Sequence, residues 1–415
     1  MKAIRAGVLI DGTGSQPVRG ATVLTDGDRI ASVIPALDVE VSDGVEIIDA
    51  SDAVVMPGMI DLHVHLRNPH TDDVPAERRY QYRVETEPQL AVFYAAHAAH
   101  ITLMSGFTTL RNMGGIEYVA LRQAIEERLV PGPRILVSGM VLMTAGHTDR
   151  TLPLTLPRSY PYEAWKTADG VDGVRKRVRE LVRAGADFIK FDAGGGLHYP
   201  DVRLYSKPEV WAIVDEAHNF GLRVAAHAHG KEAILRAVQA GADTLEHGTF
   251  LDDTCIEQMQ KHGTTFVPTL AIMHDTITRG PKLGHRDALL SKYPQLQETR
   301  MRAVGRAHAA GIKIGLGTDS SGWLAPHGFN GIEFKLLTDA GLDPAAALAA
   351  GTSVAAQAIG LEKIVGTIEP GKRADLVILN ANPLDDIASL AIPGNVRMVF
   401  RDGRRVSPPW KEVAN

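Results

Sequence analysis

Residues 58–66 read GMIDLHVHL, an apolar run that ends in two histidines. His63 and His65 are two positions apart, and in a β-strand this spacing turns both side chains to the same face. The segment therefore predicts a strand whose last residues present a pair of imidazoles. Such a pair can bind a metal ion together, or it can be two buried, hydrogen-bonded histidines with a structural role only.

Four further apolar segments end in a residue with the same potential. Lys190 follows ADFI, His227 follows RVAA, His247 follows DTLE and Asp319 follows IKIGLGT, and a glycine or polar loop comes soon after each. Three more strand candidates bring the number to eight: FTTLRNM (107–113), RILVSGMVLM (134–143) and TTFVPTL (264–270). Eight such strands predict an α/β protein with a (β/α)8 TIM barrel, whose catalytic groups lie at the carboxyl ends of the strands.

Several segments between these strands have the apolar periodicity of an amphipathic helix. Each of the four clearest ones ends at a glycine: PEVWAIVDEAHNFG at Gly221, KEAILRAVQAG at Gly241, CIEQMQKHG at Gly263 and RMRAVGRAHAAG at Gly311. Glycine is common just after the last turn of a helix. The alternation of strands and helices therefore supports the barrel.

The two ends of the chain differ from the middle. Residues 1–57 and 366–415 read as short strands separated by Asp-Gly turns, which are hairpin signals. We expect them to form one small β-sandwich domain together, with the barrel inserted as residues 58–365. Two connections, 66–90 and 274–300, are long enough to cover the mouth of the barrel.

Composition narrows the class of protein. A barrel takes about 250 residues, so the 415 residues accommodate one barrel and a smaller domain. A net charge of −5 argues against a nucleic-acid partner, and no apolar run approaches the roughly 20 residues of a membrane span. The first residues, MKAIRAGVLIDGTG, lack the apolar core of a signal peptide. We expect a cytoplasmic protein, with a processed export precursor as the alternative.

The chemistry of the candidate residues points to metal ions. Imidazole and carboxylate are good zinc ligands, and Asp319 could also accept a proton from water. Lys190 is unusual, because a buried lysine without a partner is costly and burial favours its neutral form. A neutral amine can react with carbon dioxide to give a carbamate that bridges two cations. The alternative is an ion pair with Asp192 or Asp187. The single cysteine, Cys255, reads as structural rather than nucleophilic.

At these positions the chain resembles the amidohydrolase superfamily, in its two-metal branch. The resemblance covers GMIDLHVH, the lysine of strand four, the two later histidines, GTD, and the closing run GTIEPGKRADLVIL (366–379). It implies two divalent metal ions, expected to be zinc, and a carboxylated lysine. The implied ligands are His63, His65 and Asp319 for one ion, His227 and His247 for the other, and the carbamate of Lys190 as the bridge.

Within the superfamily the chain is similar to the imidazolonepropionase-related subgroup, which contains Xaa-Pro dipeptidases, Xaa-Arg/Lys carboxypeptidases and ochratoxin-hydrolysing amidases. The segments that carry this similarity are TTLRNMGG (108–115), MTAGH (143–147), FIKFDAGGG (188–196), YSKPEVWAIVDEAH (205–218) and HAHG (227–230). Strand five carries two histidines. His227 is assigned to the metal because its distance ahead of His247 matches the register of the family. His229, further up the rim, is then expected to contact either the substrate or a metal ligand.

Four other residues of the predicted rim are candidates for substrate contacts. His147 follows strand three and could help to stabilise an oxyanion, or it could cap a loop. Tyr205 could donate to a carbonyl oxygen. Arg203 suits a carboxylate, although an arginine in a loop is commonly only solvated. His327 follows strand eight and is a weaker candidate.

The resemblance and these residues together imply an enzyme that cleaves the amide C–N bond of a small substrate with a metal-bound hydroxide. The expected substrate is a dipeptide or an N-acyl amino acid, including ochratoxin-like amides, and Asp319 would pass a proton to the leaving nitrogen. Hydrolysis of a carbamate or urea-type xenobiotic and opening of a cyclic amide, as in imidazolonepropionase, are the alternatives. A non-catalytic scaffold is the third reading. We also expect a homo-oligomer.

Overall fold

The computed structural model describes residues 1–66, 86–115, 118–138, 167–197, 199–283, 290–322 and 324–406. The strands are β1 (Lys2–Leu9), β2 (Val18–Asp26), β3 (Arg29–Ile34), β4 (Glu46–Pro57), β5 (Met59–Val64), β6 (Phe107–Asn112), β7 (Arg134–Val137), β8 (Phe188–Asp192), β9 (Arg223–Ala228), β10 (Thr244–His247), β11 (Thr265–Val267), β12 (Leu376–Leu379), β13 (Val396–Arg401) and β14 (Arg404–Arg405). The helices are α1 (Pro88–Met104), α2 (Tyr118–Glu126), α3 (Val171–Arg183), α4 (Lys207–Asn219), α5 (Lys231–Ala240), α6 (Asp253–His262), α7 (Leu270–Arg279), α8 (Tyr293–Ala309), α9 (Ile332–Asp339), α10 (Pro344–Ala350) and α11 (Ser353–Ala358), with a 3₁₀ helix at Ile387–Ala391.

Strands from both ends of the chain form one seven-stranded sheet in the order β14-β13-β12-β4-β1-β2-β3. β4 joins the two halves, because it pairs parallel with β1 on one side and antiparallel with β12 on the other. The sheet has an apolar core of its own, to which Ile4, Val23, Leu376 and Phe400 contribute. The two ends therefore combine in one sheet, as the sequence predicted. The domain boundaries at residues 57 and 366 stay a prediction.

The barrel is built from the parallel strands β5 to β11. They form two ladders, β5-β6-β7 and β8-β9-β10-β11. The amide of Asp187 donates to the carbonyl of Val137 at 2.7 Å and so connects β7 with β8. The eighth position is taken by the chain around Ile314 and Ser320, which makes single parallel bridges to Phe266 of β11 and Val64 of β5. The predicted fold class, a TIM barrel with a small β-sandwich domain, is confirmed.

The outer layer of helices follows from local sequence signals. α4 begins with a capping box, in which Ser206 and Glu209 satisfy each other's backbone amides. α5 ends at Gly241 in the left-handed conformation (φ 98°), where a side chain would be strained. Apolar faces of these helices, such as Ile234 and Val238 of α5, are buried in the main core. The predicted connection 66–90 lies almost wholly outside the described residues, and α7 and α8 occupy much of 274–300.

The sheet and the barrel are joined by a continuous stretch of chain. β4 runs through Gly58 into β5, and the Gly58 amide donates to the carbonyl of Asp375 at 2.8 Å. A Cβ atom at Gly58 would lie 2.1 Å from Oγ1 of Thr108 on β6. The carboxylate of Asp375 accepts from Arg134 of β7 at 2.7 Å and from the Asp402 amide at 2.8 Å. Side chains and backbone thus connect the two parts without a flexible linker.

Among the described residues no helix is both long and apolar enough to cross a membrane.

Candidate metal centre

The first cluster lies where β5 ends against the eighth strand position. His63 and His65 have ring centroids 5.4 Å apart. Oδ1 of Asp319 lies 3.1 Å from Nε2 of His65 and 3.6 Å from Nε2 of His63. The candidate ligand atoms of the three residues lie within 4.8 Å of one another. The histidine pair therefore shares one face, as the sequence predicted. Asp319, which comes near the end of the barrel domain in sequence, lies beside it.

Buried polar groups fix the orientation of His63. Its Nδ1 lies 2.7 Å from Oε2 of Glu246, and both residues are almost completely buried. Glu246 also accepts from Nη2 of Arg111 at 2.8 Å, while Nε of Arg111 donates to the carbonyl of Leu62 at 2.6 Å. A carboxylate that engages one imidazole nitrogen sets the tautomer and leaves the other for a metal ion. Nε2 of His63 is the nitrogen that faces Asp319.

The second cluster consists of His227, His229 and His247. Their candidate ligand atoms also lie within 4.8 Å of one another. The ring of His247 is 4.5 Å from that of His227 and 4.9 Å from that of His229. Nδ1 of His229 contacts the hydroxyl of Thr249, and Nδ1 of His247 contacts that of Thr269, each at 2.8 Å. His227 of β9 and His229, just after this strand, thus both reach His247. The assignment of His227 to the metal and His229 to the substrate stays a prediction.

The two clusters are neighbours, and Lys190 lies on β8, the strand that pairs with β9 and its His227. The rings of His63 and His247 are 5.0 Å apart. Lys190 is only 2% exposed. Its Nζ is 4.0 Å from Oδ1 of Asp192. Asp187 is engaged elsewhere, with the Arg122 guanidinium and the Val137 amide, so it does not pair with Lys190.

The charges of the site favour the forms that bind metals. Burial lowers the pKa of His63, His229 and His247 well below the usual value, and the nearby charge of Lys190 lowers all three further. Burial alone would raise the pKa of Asp319, but His63, His65 and Lys190 outweigh it and hold that pKa below the usual range. Neutral imidazoles and a carboxylate are the donor set that zinc and similar divalent cations take. The described residues therefore fit such ions.

Backbone strain is concentrated at the same place. His247, Thr269 and Asp319 have φ values of 71°, 53° and 58°, although none of them is glycine. Residues other than glycine seldom adopt this region, and those that do cluster at functional sites. His247 is the last residue of β10, Thr269 lies two residues after β11, and Asp319 precedes Ser320 at the eighth strand position, so the strained residues lie where the strands stop.

A model of the amidohydrolase family matches residues 54–406. The chain belongs to this family. It is 30% identical over 439 residues to ochratoxinase from Aspergillus niger, which covers 99% of this chain and 88% of the relative. It is 26% identical over 399 residues to imidazolonepropionase from Cutibacterium acnes, with coverage of 93% and 87%. A crystal structure of a Xaa-Pro dipeptidase with bound methionine superimposes with a TM-score of 0.86 at 30% identity, covering 98% of this chain and all of that one.

These likenesses confirm the predicted family and subgroup. This amidohydrolase is accordingly an enzyme that hydrolyses C–N bonds, and its histidine clusters form a site suited to divalent metal ions.

The other predicted site residues of the amidohydrolase are spread more widely. His147 lies outside the described residues. Arg203 is exposed on the hairpin that follows β8, where its backbone bridges to Gly194. Tyr205 is buried, with its ring 6.3 Å from that of Phe191, and its hydroxyl has no hydrogen-bond partner among the described residues. Their roles toward a substrate stay predictions.

His327 is fully buried and contacts the backbone of the candidate ligand His65. Its Nε2 lies 3.2 Å from the carbonyl oxygen of His65, and its Nδ1 lies 3.5 Å from the hydroxyl of Thr102. In this arrangement it supports the end of β5, and its predicted contact with substrate stays a prediction.

Sequence reasoning missed a buried carboxylate beneath the first cluster. Asp61 accepts from the His63 amide at 3.0 Å, the Thr318 hydroxyl at 2.6 Å and Nδ2 of Asn330 at 2.8 Å. Burial raises the pKa of Asp61 to about 6, against these hydrogen bonds. Asp61 is two positions before His63, so the same alternation that revealed the histidines also turns this carboxylate inward.

It also missed the support beneath the second cluster. Nη2 of the buried Arg300 donates to the hydroxyl of Thr269 at 2.7 Å, to the Thr269 carbonyl at 2.7 Å and to the Pro268 carbonyl at 2.5 Å. Burial lowers the pKa of Arg300 only to about 10, so the guanidinium remains charged at neutral pH. Arg300 therefore positions the hydroxyl that contacts His247.

Proposed function

We propose that this amidohydrolase cleaves the amide C–N bond of an N-acyl amino acid or dipeptide at a centre of two divalent cations. One observation carries the proposal: two groups of candidate ligands lie side by side, and the buried Lys190 lies on β8, the strand next to the one that carries His227. His63, His65 and Asp319 would hold one ion, and His227 and His247 would hold the other. Lys190, as its carbamate, would be a further ligand.

Residues of the chain have separate roles in the proposed reaction. Bound cations would supply Lewis acidity toward a carbonyl oxygen and would lower the pKa of the attacking water. Asp319, kept as a carboxylate by its surroundings, accepts the proton of that water and delivers it to the leaving nitrogen. Without this proton an amine is a poor leaving group. Glu246 keeps His63 in one tautomer throughout.

His229 has a separate part in the proposal. It is buried, and its Nδ1 is held by Thr249, so Nε2 is the nitrogen directed to the cluster. We infer that it contacts the carbonyl oxygen of the substrate, with Tyr205 and His147 as further candidates. Donors placed where negative charge develops commonly contribute more to rate than any other group.

The substrate class is supported by the relatives. One structural relative is described as a Xaa-Pro dipeptidase, a name that refers to dipeptides, and the chain covers it completely. Ochratoxinase is named for ochratoxin. The expected small amide with a free carboxylate on the amine side is consistent with both names. Arg203 is the candidate partner of that carboxylate.

The test is a hydrolysis screen of the full chain loaded with zinc in the presence of bicarbonate. N-acyl amino acids and dipeptides should be cleaved, and aryl carbamates and ureas should not. Turnover of carbamates or ureas without turnover of amides would replace the proposal by its alternative. A good amide substrate is then compared with its methyl ester, since equal kcat/KM for the two would refute recognition of the carboxylate.

The carbamate is tested separately by metal analysis. Wild-type protein should hold close to two metal ions per chain, and Lys190→Ala should hold fewer and lose activity. Short carboxylic acids should restore part of both, because they can occupy the space of the missing carbamate. A Lys190→Ala protein with two metal ions and unchanged activity would contradict the role of the carbamate as a ligand.

A further inference from the structure

A cavity of about 340 Å³ lies between helix α7 and the segment that follows the eighth strand position. Both walls continue, along the chain, from residues at the metal centre. α7 begins directly after Thr269, which contacts His247, and Ser320, next to Asp319, lines the other wall. The volume lies in the range of small-molecule sites. The cavity is therefore placed to hold a part of the molecule whose reacting bond lies over the two clusters.

Most of the lining is apolar. Ala271 lies on the α7 side, and Ala325, Pro326, Phe329 and Ile332 lie opposite. Phe329 is 46% exposed. A large aromatic side chain left in water beside a cavity gains free energy when an apolar group covers it.

The polar groups of the lining leave little net charge. Nη1 of Arg279 lies 3.2 Å from Oδ1 of Asp275, whose other oxygen accepts from the Ala325 amide at 3.0 Å. His274 is half-buried, and burial lowers its pKa, so the imidazole is neutral at neutral pH. A charged ligand group would have to compete with an ion pair that is already formed. The cavity therefore favours a neutral, apolar ligand group.

We propose that this cavity is the specificity pocket of the enzyme and takes an apolar side group, aromatic or branched aliphatic, on the leaving-amine side of the substrate. The proposal rests on the function proposed above. The orientation follows from Asp319, because the residue that protonates the leaving nitrogen must lie beside it. Ser320 connects that residue with the cavity, so the amine half of the substrate lies nearer to it than the acyl half.

The test uses Thr278→Trp in the full zinc-loaded chain, because Thr278 lies on α7 at the cavity and its side chain is exposed. Thr299→Trp is the matched control. Both threonines donate their hydroxyl to the carbonyl four residues earlier on an exposed helix face, at 3.0 Å and 2.9 Å, and Thr299 does not line the cavity. Phe329→Ala removes the aromatic wall instead of filling the space.

Substrates are varied on one side at a time. N-acetyl-glycine, N-acetyl-leucine and N-acetyl-phenylalanine vary the amine side, and N-benzoyl-glycine varies the acyl side. In wild type, kcat/KM should rise from glycine to phenylalanine. Thr278→Trp and Phe329→Ala should lower kcat/KM for the phenylalanine substrate by about tenfold or more and change the glycine substrate little, whereas Thr299→Trp changes neither. An equal loss for all substrates, or a loss confined to the benzoyl substrate, overturns the proposal.

A binding measurement tests the pocket independently of the proposed function. If wild type hydrolyses none of these amides, the proposed function fails, and calorimetry with L-phenylalanine, the amine product, decides on the pocket. Binding to wild type and Thr299→Trp that is lost in Thr278→Trp supports the pocket. Absence of binding to wild type, or equal binding to all three proteins, overturns it.

Discussion

At the scale of single residues, Asp319 has two tasks that one substitution can separate. Asp319→Asn keeps an oxygen that can weakly bind a metal but removes the group that carries a proton. We expect kcat to fall by about 10²–10⁴-fold, the usual contribution of a general acid–base group. Steady-state kinetics of the metal-loaded variant measure this. Metal content and thermal unfolding serve as controls, and a variant with near wild-type kcat and full metal content would show that another group carries the proton.

Arg300 should matter for metal affinity although it contacts no candidate ligand. Arg300→Met removes the donor that holds Thr269, whose hydroxyl contacts Nδ1 of His247. Loss of such supporting contacts weakens metal binding by about 10–100-fold. Chelator competition gives the zinc Kd directly. Arg302→Met is the control, because Arg302 is an exposed neighbour on α8 that pairs only at the surface, with Glu298 among its partners. Equal Kd values for the two variants would contradict the positioning role.

At the scale of elements, the start of α7 depends on a buried carboxyl group. Glu333 at the start of α9 accepts from the amides of Leu270 at 2.8 Å and Ala271 at 2.6 Å. Burial nevertheless raises its pKa from 4.5 to about 8. α9 thus caps α7, a contact between elements about sixty residues apart.

The raised pKa of Glu333 gives stability a pH dependence of known sign. The folded protein binds this proton more tightly than the unfolded chain, so the contribution is complete below about pH 4.5 and is lost as the pH rises toward 8. Glu333→Gln should therefore reduce the decline of unfolding free energy across that window, with a change in slope of at most about 1.4 kcal/mol per pH unit. Denaturant unfolding of metal-free protein at several pH values measures it. An unchanged slope would show that Glu333 does not titrate there.

Local sequence patterns predicted those features of strands and helices that are determined by residues close in sequence. The alternation in β5 placed His63 and His65 on one face, and the glycine after α5 marked its end. The segment IKIGLGT also predicts a strand, but it makes only single bridges among the described residues, and the positive φ of Asp319 ends the extended conformation there. The contact between His63 and Glu246 joins positions 183 residues apart, so no local pattern contains it.

The sequence also did not show which polar side chains are buried. Arg300 stands in RMRAVGRAHAAG among other arginines, and only the packing of α8 shows that it is buried while Arg302 is exposed. Tyr205 was expected at the substrate because it follows β8 in a loop. Its ring lies in the core beside Phe191, which no local pattern shows, and its contact with a substrate stays a prediction.

At the scale of the whole molecule, the sheet and the barrel should respond to a change at their junction together. Gly58→Ala would bring a methyl group against the Thr108 side chain. Overpacking of this kind typically costs about 1–3 kcal/mol. We expect a lower midpoint of denaturant unfolding in a single transition. Thr108→Ala in the same chain should recover part of the loss, because it removes the atom that lies nearest, and a double variant no more stable than Gly58→Ala would argue against this clash.

The pairing of β4 with β12 also has a consequence for synthesis on the ribosome. The edge of β4 is complete at residue 57, but the strand that covers it ends at Leu379, about 320 residues later. At about 5–20 residues per second, translation leaves this apolar edge open for roughly 15–65 s. Through that interval the nascent chain offers a strand template to any neighbouring polypeptide. Expression at lower temperature or with more chaperone should therefore raise the yield of this enzyme. A substitution that only stabilises the finished fold should raise the yield less.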